Sequence, residues 1–276
     1  MNLTLGFSTC PNDTYIFDAM VHQRIDTEGL SFKVKMADVE ELNRDAFAGK
    51  IDITKISYHA YAHVASNYRL LTSGSALGHK NGPMVIAKSK INSSEWSKMT
   101  VAIPGKYTTA NLLFGILFPK VKKVEVFLFS DIENAVTEGL VDAGVIIHEN
   151  RFTYQQKGLK KIIDLGEAWE EQTATPIPLG GIAVNRSITT EMQQKINRVM
   201  KRSVEYAFAH PEASSGFVRK YAQEMEEEVM RKHIQLYVND FTINLGELGE
   251  NAVRTLYNRA VNCKMFNEIP NDIFVV

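Results

Sequence analysis

The sequence predicts an α/β fold with two lobes around a central cleft and a helical C-terminal segment that packs on the first lobe. Strand-like and helix-like segments alternate in two successive blocks, which is typical of βαβ units. From Thr189 onward the periodicity is almost entirely helical. A tail that returns to the first block makes that block discontinuous. We therefore expect residues 1–82 and 183–276 to form a large α/β domain and residues 83–182 a smaller inserted one.

The first block contains three predicted strand-helix pairs. Pro11 followed by Asn12 and Asp13 is a typical helix start, and Gly49 is a typical helix end. The predicted strands are residues 3–8, 31–36 and 51–57. The first predicted helix starts at residues 11–13 with Asn12 or Asp13 as its cap, and further helices are predicted over residues 40–48 and 58–65.

The second block has the same alternation of parallel strands and helices. Its strands are predicted at residues 84–88, 100–103, 124–129 and 143–147, and its helices at 108–117 and 131–139. A polar loop is expected after Glu149, and an extended segment at 176–184 returns the chain. The tail is predicted to form helices over residues 189–208, 211–223, 225–238 and 246–262.

Composition excludes several classes of partner. The 276 residues include 31 Lys plus Arg against 32 Asp plus Glu, a balance that predicts binding to neither nucleic acid nor an acidic membrane. No apolar run reaches the roughly 18 to 20 residues that span a bilayer. The N-terminus alternates like a strand and lacks a basic region and an apolar core, so we expect a cytoplasmic protein. The sequence leaves the oligomeric state open.

Cysteine and histidine spacing predicts no metal site. Cys10 and Cys263 are too far apart for a zinc knuckle or a redox pair, so both are interpreted as packed or loop thiols. His59 and His63 stand four apart on one helix, but the glutamate of a metalloprotease motif is missing. Packing is the favoured role of both histidines.

His148 is the candidate general base. It follows a buried strand, at the sheet edge where ligands collect in open α/β folds, and imidazole exchanges protons near neutral pH. A structural histidine at a strand end is the alternative that position alone favours slightly. A Cys10–His148 nucleophilic pair is a weaker alternative, because nothing in the sequence brings the two residues together.

Two helix starts are candidate anion-binding segments. Lys55-Ile56-Ser57 leads from a strand into a helix, and Thr108-Thr109-Ala110 begins another. Free N–H groups at helix N-termini attract anions, although simple helix capping explains each segment equally well. Together they predict a site for a small carboxylated substrate.

Four segments stand in order along the chain, residues 8–17 (STCPNDTYIF), 55–61 (KISYHAY), 73–78 (SGSALG) and 146–149 (IIHE). Together they resemble the 1,4-dihydroxy-6-naphthoate synthases of the futalosine route to menaquinone. The resemblance covers essentially the whole chain. It implies the fold of type II periplasmic binding proteins, in agreement with the two lobes.

The resemblance implies a carbon–carbon lyase that needs neither metal nor organic cofactor. The substrate would be cyclic dehypoxanthine futalosine and the product 1,4-dihydroxy-6-naphthoate. Carried over by position, His148 matches the proton acceptor, Lys55, Ile56 and Ser57 the first substrate-binding segment, and Thr109 and Ala110 the second. We expect backbone and hydroxyl groups at Ser57 and Thr109 to hold the carboxylate and hydroxyls of the substrate.

Two alternatives share the fold. A solute-binding protein would bind a metabolite without chemistry, and fold alone does not separate it from an enzyme. A chorismate dehydratase of the same pathway is the other. The segments STCPND and IIHE resemble the naphthoate synthases instead.

Overall fold

The computed structural model describes residues 2–147, 150–222 and 226–276, and it contains two β-sheets flanked by helices. The predicted α/β class is confirmed. The first sheet, sheet A, takes strands from distant parts of the chain. These are β1 (Asn2–Phe7), β2 (Ser31–Met36), β3 (Ile53–Ser57), β4 (Tyr68–Leu70), β5 (Ala76–Gly78) and β11 (Ile177–Asn185).

Sheet A has the order β2-β1-β3-β11-β4, and β5 also pairs with β11. β1 is parallel to β2 and β3, whereas β11 is antiparallel to β3, β4 and β5. β11 therefore returns the chain from the second block into the centre of sheet A.

The second sheet, sheet B, has the order β10-β6-β9-β7-β8. β7 is parallel to β8 and β9, whereas β6 is antiparallel to β9 and β10. The parallel prediction therefore fails for β6. The strands are β6 (Met84–Ala87), β7 (Thr100–Ile103), β8 (Lys123–Val126), β9 (Ala143–Ile146) and β10 (Lys160–Asp164).

Helices connect the strands and form most of the C-terminal third. Three short 3₁₀ helices add to them. The α-helices are α1 (Pro11–Val21), α2 (Val39–Phe47), α3 (Tyr58–Val64), α4 (Thr109–Leu117), α5 (Ile132–Glu138), α6 (Asn150–Thr153), α7 (Leu165–Thr173), α8 (Thr190–Ala209), α9 (Ser215–Tyr221), α10 (Glu227–Tyr237), α11 (Asp240–Ile243) and α12 (Gly246–Asn262).

The polar loop predicted after Glu149 is wrong, because this stretch contains α6, β10 and α7. Asp164 caps α7 by accepting from the backbone N–H groups of Gly166 and Glu167. Trp169 is buried on the inner face of this helix. Charged residues at outward positions hide this periodicity in the sequence. The three-residue strands β4 and β5 were also not predicted, since so short a strand shows no period.

The C-terminal helices pack on sheet A, as the helical tail predicted. α8, α9 and α10 contact α1, and α12 contacts β11. Ser203 of α8 donates a 2.6 Å hydrogen bond to the backbone oxygen of Ile16 in α1. Phe17 of the same helix stacks on Phe7 of β1 with ring centroids 4.5 Å apart. These contacts give sheet A a rigid outer layer.

Gly82 and Gly166 make a close backbone contact where the chain passes between the sheets. A Cβ atom on Gly82 would lie 2.3 Å from the backbone nitrogen of Gly166, closer than any real contact. The strands of sheet B all fall within residues 84–164, and β11 crosses position 182. The domain boundaries 1–82, 83–182 and 183–276 stay a prediction. Within the described ranges, every helix is too short or too polar to cross a membrane.

Candidate active site

A cleft with about 740 Å³ of empty space, including the solvent at its mouth, lies between the two sheets. This is within the usual size range of small-molecule sites. Strand ends, helix starts and the C-terminal segment all contribute to it. Its lining comprises Ser8, Asn12, Asp13, Val39, Lys55, Ile56, Ser57, Ala76, Asn81, Pro83, Thr108, Thr109, Ala110, Ile147, Leu179, Gly180, His233 and Tyr237.

The predicted substrate-binding residues all line this cleft. Lys55, Ile56 and Ser57 are the last residues of β3, and Thr109 and Ala110 begin α4. The loops after strands of both sheets therefore meet at one cavity, as expected from their positions at strand ends.

His148, the predicted general base, and its neighbour Glu149 lie outside the described residues. Ile147, the residue before His148, lines the cleft. The role of His148 as a general base therefore stays a prediction.

One wall of the cleft carries a buried ion pair. We call Ser8, Asn12, Asp13, Lys55 and His233 the charged wall. Lys55 Nζ lies 3.0 Å from Asp13 Oδ1, and the two side chains are only 9% and 2% exposed. Removing two charges from water is costly unless each is paired and hydrogen-bonded. The pair therefore needs the polar groups around it.

Ser8 and Asn12 supply those groups to Asp13. The Ser8 hydroxyl donates to Asp13 Oδ2 at 2.7 Å and its backbone N–H donates to the same oxygen at 3.2 Å. Asn12 Nδ2 donates to Asp13 Oδ1 at 2.9 Å. With Lys55 beside it, the carboxylate has partners at both oxygens, so it stabilises the wall and is not positioned to act as a base.

His233 connects the charged wall to the C-terminal helix α10. Its Nε2 lies 2.9 Å from Asn12 Oδ1, and the imidazole ring is fully buried. The carboxylate of Asp13 only accepts hydrogen bonds, so the amide group of Asn12 must face it and the amide oxygen must face His233. Nε2 of His233 therefore carries a hydrogen and donates a hydrogen bond to Oδ1 of Asn12.

A second part of the cleft lining is neutral. We call Ser57, Thr108, Thr109 and Ala110 the neutral wall, after the absence of charged side chains among these four residues. Thr108 is the N-cap of α4 and accepts from the N–H of Asn111. Thr109 Oγ1 accepts from the N–H of Tyr58 at 2.9 Å and donates to the backbone oxygen of Leu179 at 2.5 Å. Thr109 thus joins α4 to both α3 and β11.

The side chain of Ser57 is also used within the protein. Its hydroxyl donates to the backbone oxygen of Tyr107 and accepts from the N–H of Ala60 at 3.0 Å, which caps α3. Its own N–H donates to Asn43 Oδ1 at 3.1 Å. Ser57 therefore shapes the cleft, and its polar groups are engaged by protein partners.

The first turn of α4 offers backbone donors to the cleft. The N–H groups of Thr109 and Ala110 have no carbonyl within the helix to bond, as at every helix N-terminus. Both residues line the cavity, and the helix dipole places partial positive charge there. An anionic oxygen of a ligand is the natural partner for these amides.

His59 supports the neutral wall from behind. Its Nδ1 lies 3.1 Å from the backbone oxygen of Thr108, and since a carbonyl only accepts, Nδ1 donates. Burial lowers the pKa of His59 to about 4, so the ring is neutral at pH 7. His63 packs beside it among Tyr107 and Phe266. The packing role predicted for both histidines fits these contacts.

Metal-ligand clustering is not seen in the described ranges, where no three His, Cys, Asp or Glu side chains come together at a possible metal site. Cys10 is the N-cap residue of α1, and its backbone oxygen accepts from the N–H groups of Asp13 and Thr14. It is not among the residues that line the cleft.

Arg151 fastens the segment that follows His148 to the crossing between the sheets. Its guanidinium donates to the backbone oxygens of Gly82 and Lys80, the second at 3.1 Å, and pairs with Asp164 at 3.1 Å. The sequence prediction missed this anchor. It also missed Asn81, His233, Leu179 and Tyr237 in the cleft, since each reaches the site through long-range packing alone.

The chain matches a family model described as menaquinone biosynthesis over residues 3–262. A relative from Thermus thermophilus named 1,4-dihydroxy-6-naphthoate synthase is 42% identical, with 99% of each chain covered. A relative from Streptomyces coelicolor with the same name is 41% identical and covers 94% of this chain and 92% of its own.

Solved structures with similar folds fall into two groups. A crystal structure of a protein from Archaeoglobus fulgidus superposes with a TM-score of 0.89 at 35% identity, covering 96% of this chain and 98% of that one. The alkanesulfonate-binding protein from Xanthomonas axonopodis has a TM-score of 0.69 at 12% identity, with 99% and 96% covered. The second similarity shows that the fold is that of periplasmic binding proteins.

Proposed function

This chain belongs to the menaquinone biosynthesis family, and on that premise we propose that it is a 1,4-dihydroxy-6-naphthoate synthase. The reaction is the carbon–carbon cleavage of cyclic dehypoxanthine futalosine to 1,4-dihydroxy-6-naphthoate. The observation that carries the proposal is the cleft between the sheets, where β3 and α4 bring together the two predicted substrate-binding segments. Similarity to relatives of this name over nearly the full chain supports it.

In this proposal the substrate carboxylate lies between the two walls. Lys55 is the only Lys or Arg among the described residues that line the cleft, so its ammonium group is the cation available for a carboxylate. Thr109 and Ala110 line the same cavity, and we propose that their backbone amides donate to the carboxylate as well. Charge-assisted hydrogen bonds of this kind are about twice as strong as neutral ones.

Ser57 and Thr109 contribute through the backbone geometry that their side chains enforce. Their hydroxyl groups already bond Tyr107, Tyr58 and Leu179. Since both hydroxyl groups already have partners within the protein, we propose that the substrate is held mainly by backbone groups and by packing. Thr109 and Ala110 bind through N–H groups, while Ile56 and Ser57 form the surface against which the substrate packs.

His148 is proposed to remove the proton that starts the reaction. Formation of the aromatic ring then drives the carbon–carbon cleavage. The position of Ile147 in the cleft supports this role, because His148 is the next residue in the chain. Neutral imidazole is the form that accepts the proton.

Incubation of the purified protein with cyclic dehypoxanthine futalosine tests the function. We expect 1,4-dihydroxy-6-naphthoate to appear, as followed by chromatography and mass spectrometry against a protein-free control. The absence of product, together with tight binding of another solute, would favour a solute-binding protein of the same fold. Consumption of chorismate instead would favour the dehydratase.

Replacement of the base tests the mechanism. His148→Ala and His148→Asn should lower kcat by about 10² to 10⁴, the usual contribution of a general base, with the circular dichroism spectrum unchanged. Glu149→Gln is the matched control at the adjacent position. Near-normal turnover in both His148 variants would contradict the assignment.

A further inference from the structure

The charged wall contains a continuous chain of polar contacts from the C-terminal helix to the cleft. His233 Nε2 donates to Asn12 Oδ1, Asn12 Nδ2 donates to Asp13 Oδ1, and Asp13 Oδ1 lies 3.0 Å from Lys55 Nζ. All four residues line the cleft and all are buried. The chain joins positions 221 residues apart between Asn12 and His233.

The two hydrogen-bonded links of this chain have a fixed direction, and the last link, from Asp13 to Lys55, is an ion pair. Asp13 accepts only, so it orients the amide of Asn12, and the amide oxygen in turn takes the proton of His233 Nε2. Asp13 Oδ2 is held separately by Ser8. The carboxylate therefore cannot rotate without losing hydrogen bonds at both oxygens, and its Oδ1 stays beside the ammonium group.

Lys55 has no other polar side-chain contact among the described residues. Its Nζ is buried and its one ion-pair partner is Asp13. An ammonium group carries three N–H donors, and none of them makes a hydrogen bond within the described residues, although Asp13 Oδ1 lies 3.0 Å away. Donors therefore remain for a ligand. Without a fixed partner, a lysine side chain with four rotatable bonds would sample several orientations in the cleft.

We propose that His233, Asn12 and Asp13 are positioning residues that hold the Lys55 ammonium group in one orientation, ready for the carboxylate of the substrate. None of the three needs to touch the carboxylate. The helix α10 is then part of the binding machinery through His233, although it lies far from β3 in sequence. The statement about the carboxylate rests on the proposed function, whereas the ordering of Lys55 does not.

The first test observes Lys55 directly and needs no ligand. In protein labelled with ¹⁵N lysine, we expect one ammonium signal protected from exchange with water, and Lys55→Met identifies it by its disappearance. His233→Leu removes the donor and should increase the exchange rate of this signal by about tenfold or more. His233→Gln, whose terminal amide again offers an N–H, should keep the rate within about twofold of the parent protein.

An unchanged ammonium signal in His233→Leu overturns the proposal. If this variant does not fold, Asn12→Ala breaks the chain at its middle link in the first turn of α1, where alanine suits the helix. The same faster exchange is expected there, and an unchanged signal again overturns the proposal. Circular dichroism and thermal unfolding show which variants are folded.

The second test asks whether the ordered ammonium group recognises a carboxylate. We compare binding of 1,4-dihydroxy-6-naphthoate and of its 6-carboxamide by calorimetry. His233→Leu should weaken naphthoate binding about tenfold, as for loss of one hydrogen bond to a charged group, and leave carboxamide binding within about twofold. Equal losses for both ligands would show a general change in the cleft and overturn the carboxylate part.

Failure of the proposed function is recognised separately. A parent protein that produces no naphthoate from cyclic dehypoxanthine futalosine removes the function, while the ammonium signal still reports on the positioning chain. Conversely, normal turnover with an unchanged ammonium signal in His233→Leu removes the positioning chain and leaves the function in place.

Discussion

The charged wall and the neutral wall of the cleft are held together by different kinds of contact. On the charged wall, Asp13 and Lys55 form a buried ion pair although they are 42 positions apart in the chain. On the neutral wall, Thr108 caps the helix that it begins, and Thr109 makes hydrogen bonds to Tyr58 and Leu179. Both walls need tertiary structure, but only the charged wall has to neutralise a buried charge.

The difference predicts how each wall responds to substitution. A buried ion pair leaves an uncompensated charge when one partner is removed, whereas a capping hydroxyl leaves one backbone N–H without its acceptor. We therefore expect large losses of stability on the charged wall and small ones on the neutral wall. Four experiments test this order.

Asp13→Asn should cause the largest loss, about 3 to 5 kcal/mol of unfolding free energy, because Lys55 keeps a buried charge without a counterion. Urea unfolding at pH 7 measures it. The double variant Asp13→Asn, Lys55→Met removes both charges and should recover part of the loss. A double variant no more stable than the single one would show that the ion pair does not dominate this wall.

Acidification should act on the neutral wall through His59. Burial lowers its folded-state pKa to about 4 from an ordinary value of 6.5, so between these values the unfolded chain binds a proton that the folded chain does not. The stabilisation is complete above about pH 6.5 and is lost as the pH falls towards 4. The loss is about 3 kcal/mol at 1.36 kcal/mol per pKa unit.

Urea unfolding at pH 7, 5.5 and 4 measures the contribution of His59. His59→Gln should flatten the dependence over this window. A residual slope is expected from His63, whose pKa burial also lowers. An unaltered pH dependence in His59→Gln would contradict the assignment to His59.

Thr109→Val should cost about 1 to 3 kcal/mol, because the buried N–H of Tyr58 loses its acceptor. The side chains are nearly equal in volume, so packing is conserved. Thr109→Ser keeps the hydroxyl and serves as the control. Thermal unfolding compares the two variants, and equal melting temperatures would show that the hydroxyl contacts are unimportant.

Thr108→Ala should have the smallest effect, about 1 kcal/mol for the loss of an N-cap. Thr108→Ser should restore most of it. A loss as large as that of Asp13→Asn would contradict the comparison between the walls, since it would make the neutral wall equally dependent on one side chain.

Much of the fold could be predicted from periodicity. The run at residues 246–262 coincides with α12. A helix does start at Pro11, but the predicted cap is wrong, because the N-cap of α1 is Cys10 and both Asn12 and Asp13 lie inside the helix. α7 was missed because its charged outer face obscures the buried Leu165 and Trp169. The antiparallel direction of β6 was missed because alternation reports which face is buried but not which strand lies beside it.

The candidate site could be predicted in part for the same reason. Lys55, Ile56, Ser57, Thr109 and Ala110 follow or begin regular elements, and such positions converge at one edge of a sheet. Asn81, Leu179 and Tyr237 carry no local signal of this kind, although they line the same cleft.

The sequence by itself determined the α/β class, the positions of most helices and the segments that reach the cleft, because these follow from local propensity and from patterns a few residues long. Only the tertiary structure decided that Asp13 pairs with Lys55 and that His233 supports both through Asn12. A buried charge needs a partner at a defined distance, and the distance between residues so far apart in the chain is set by the packing of whole helices and sheets.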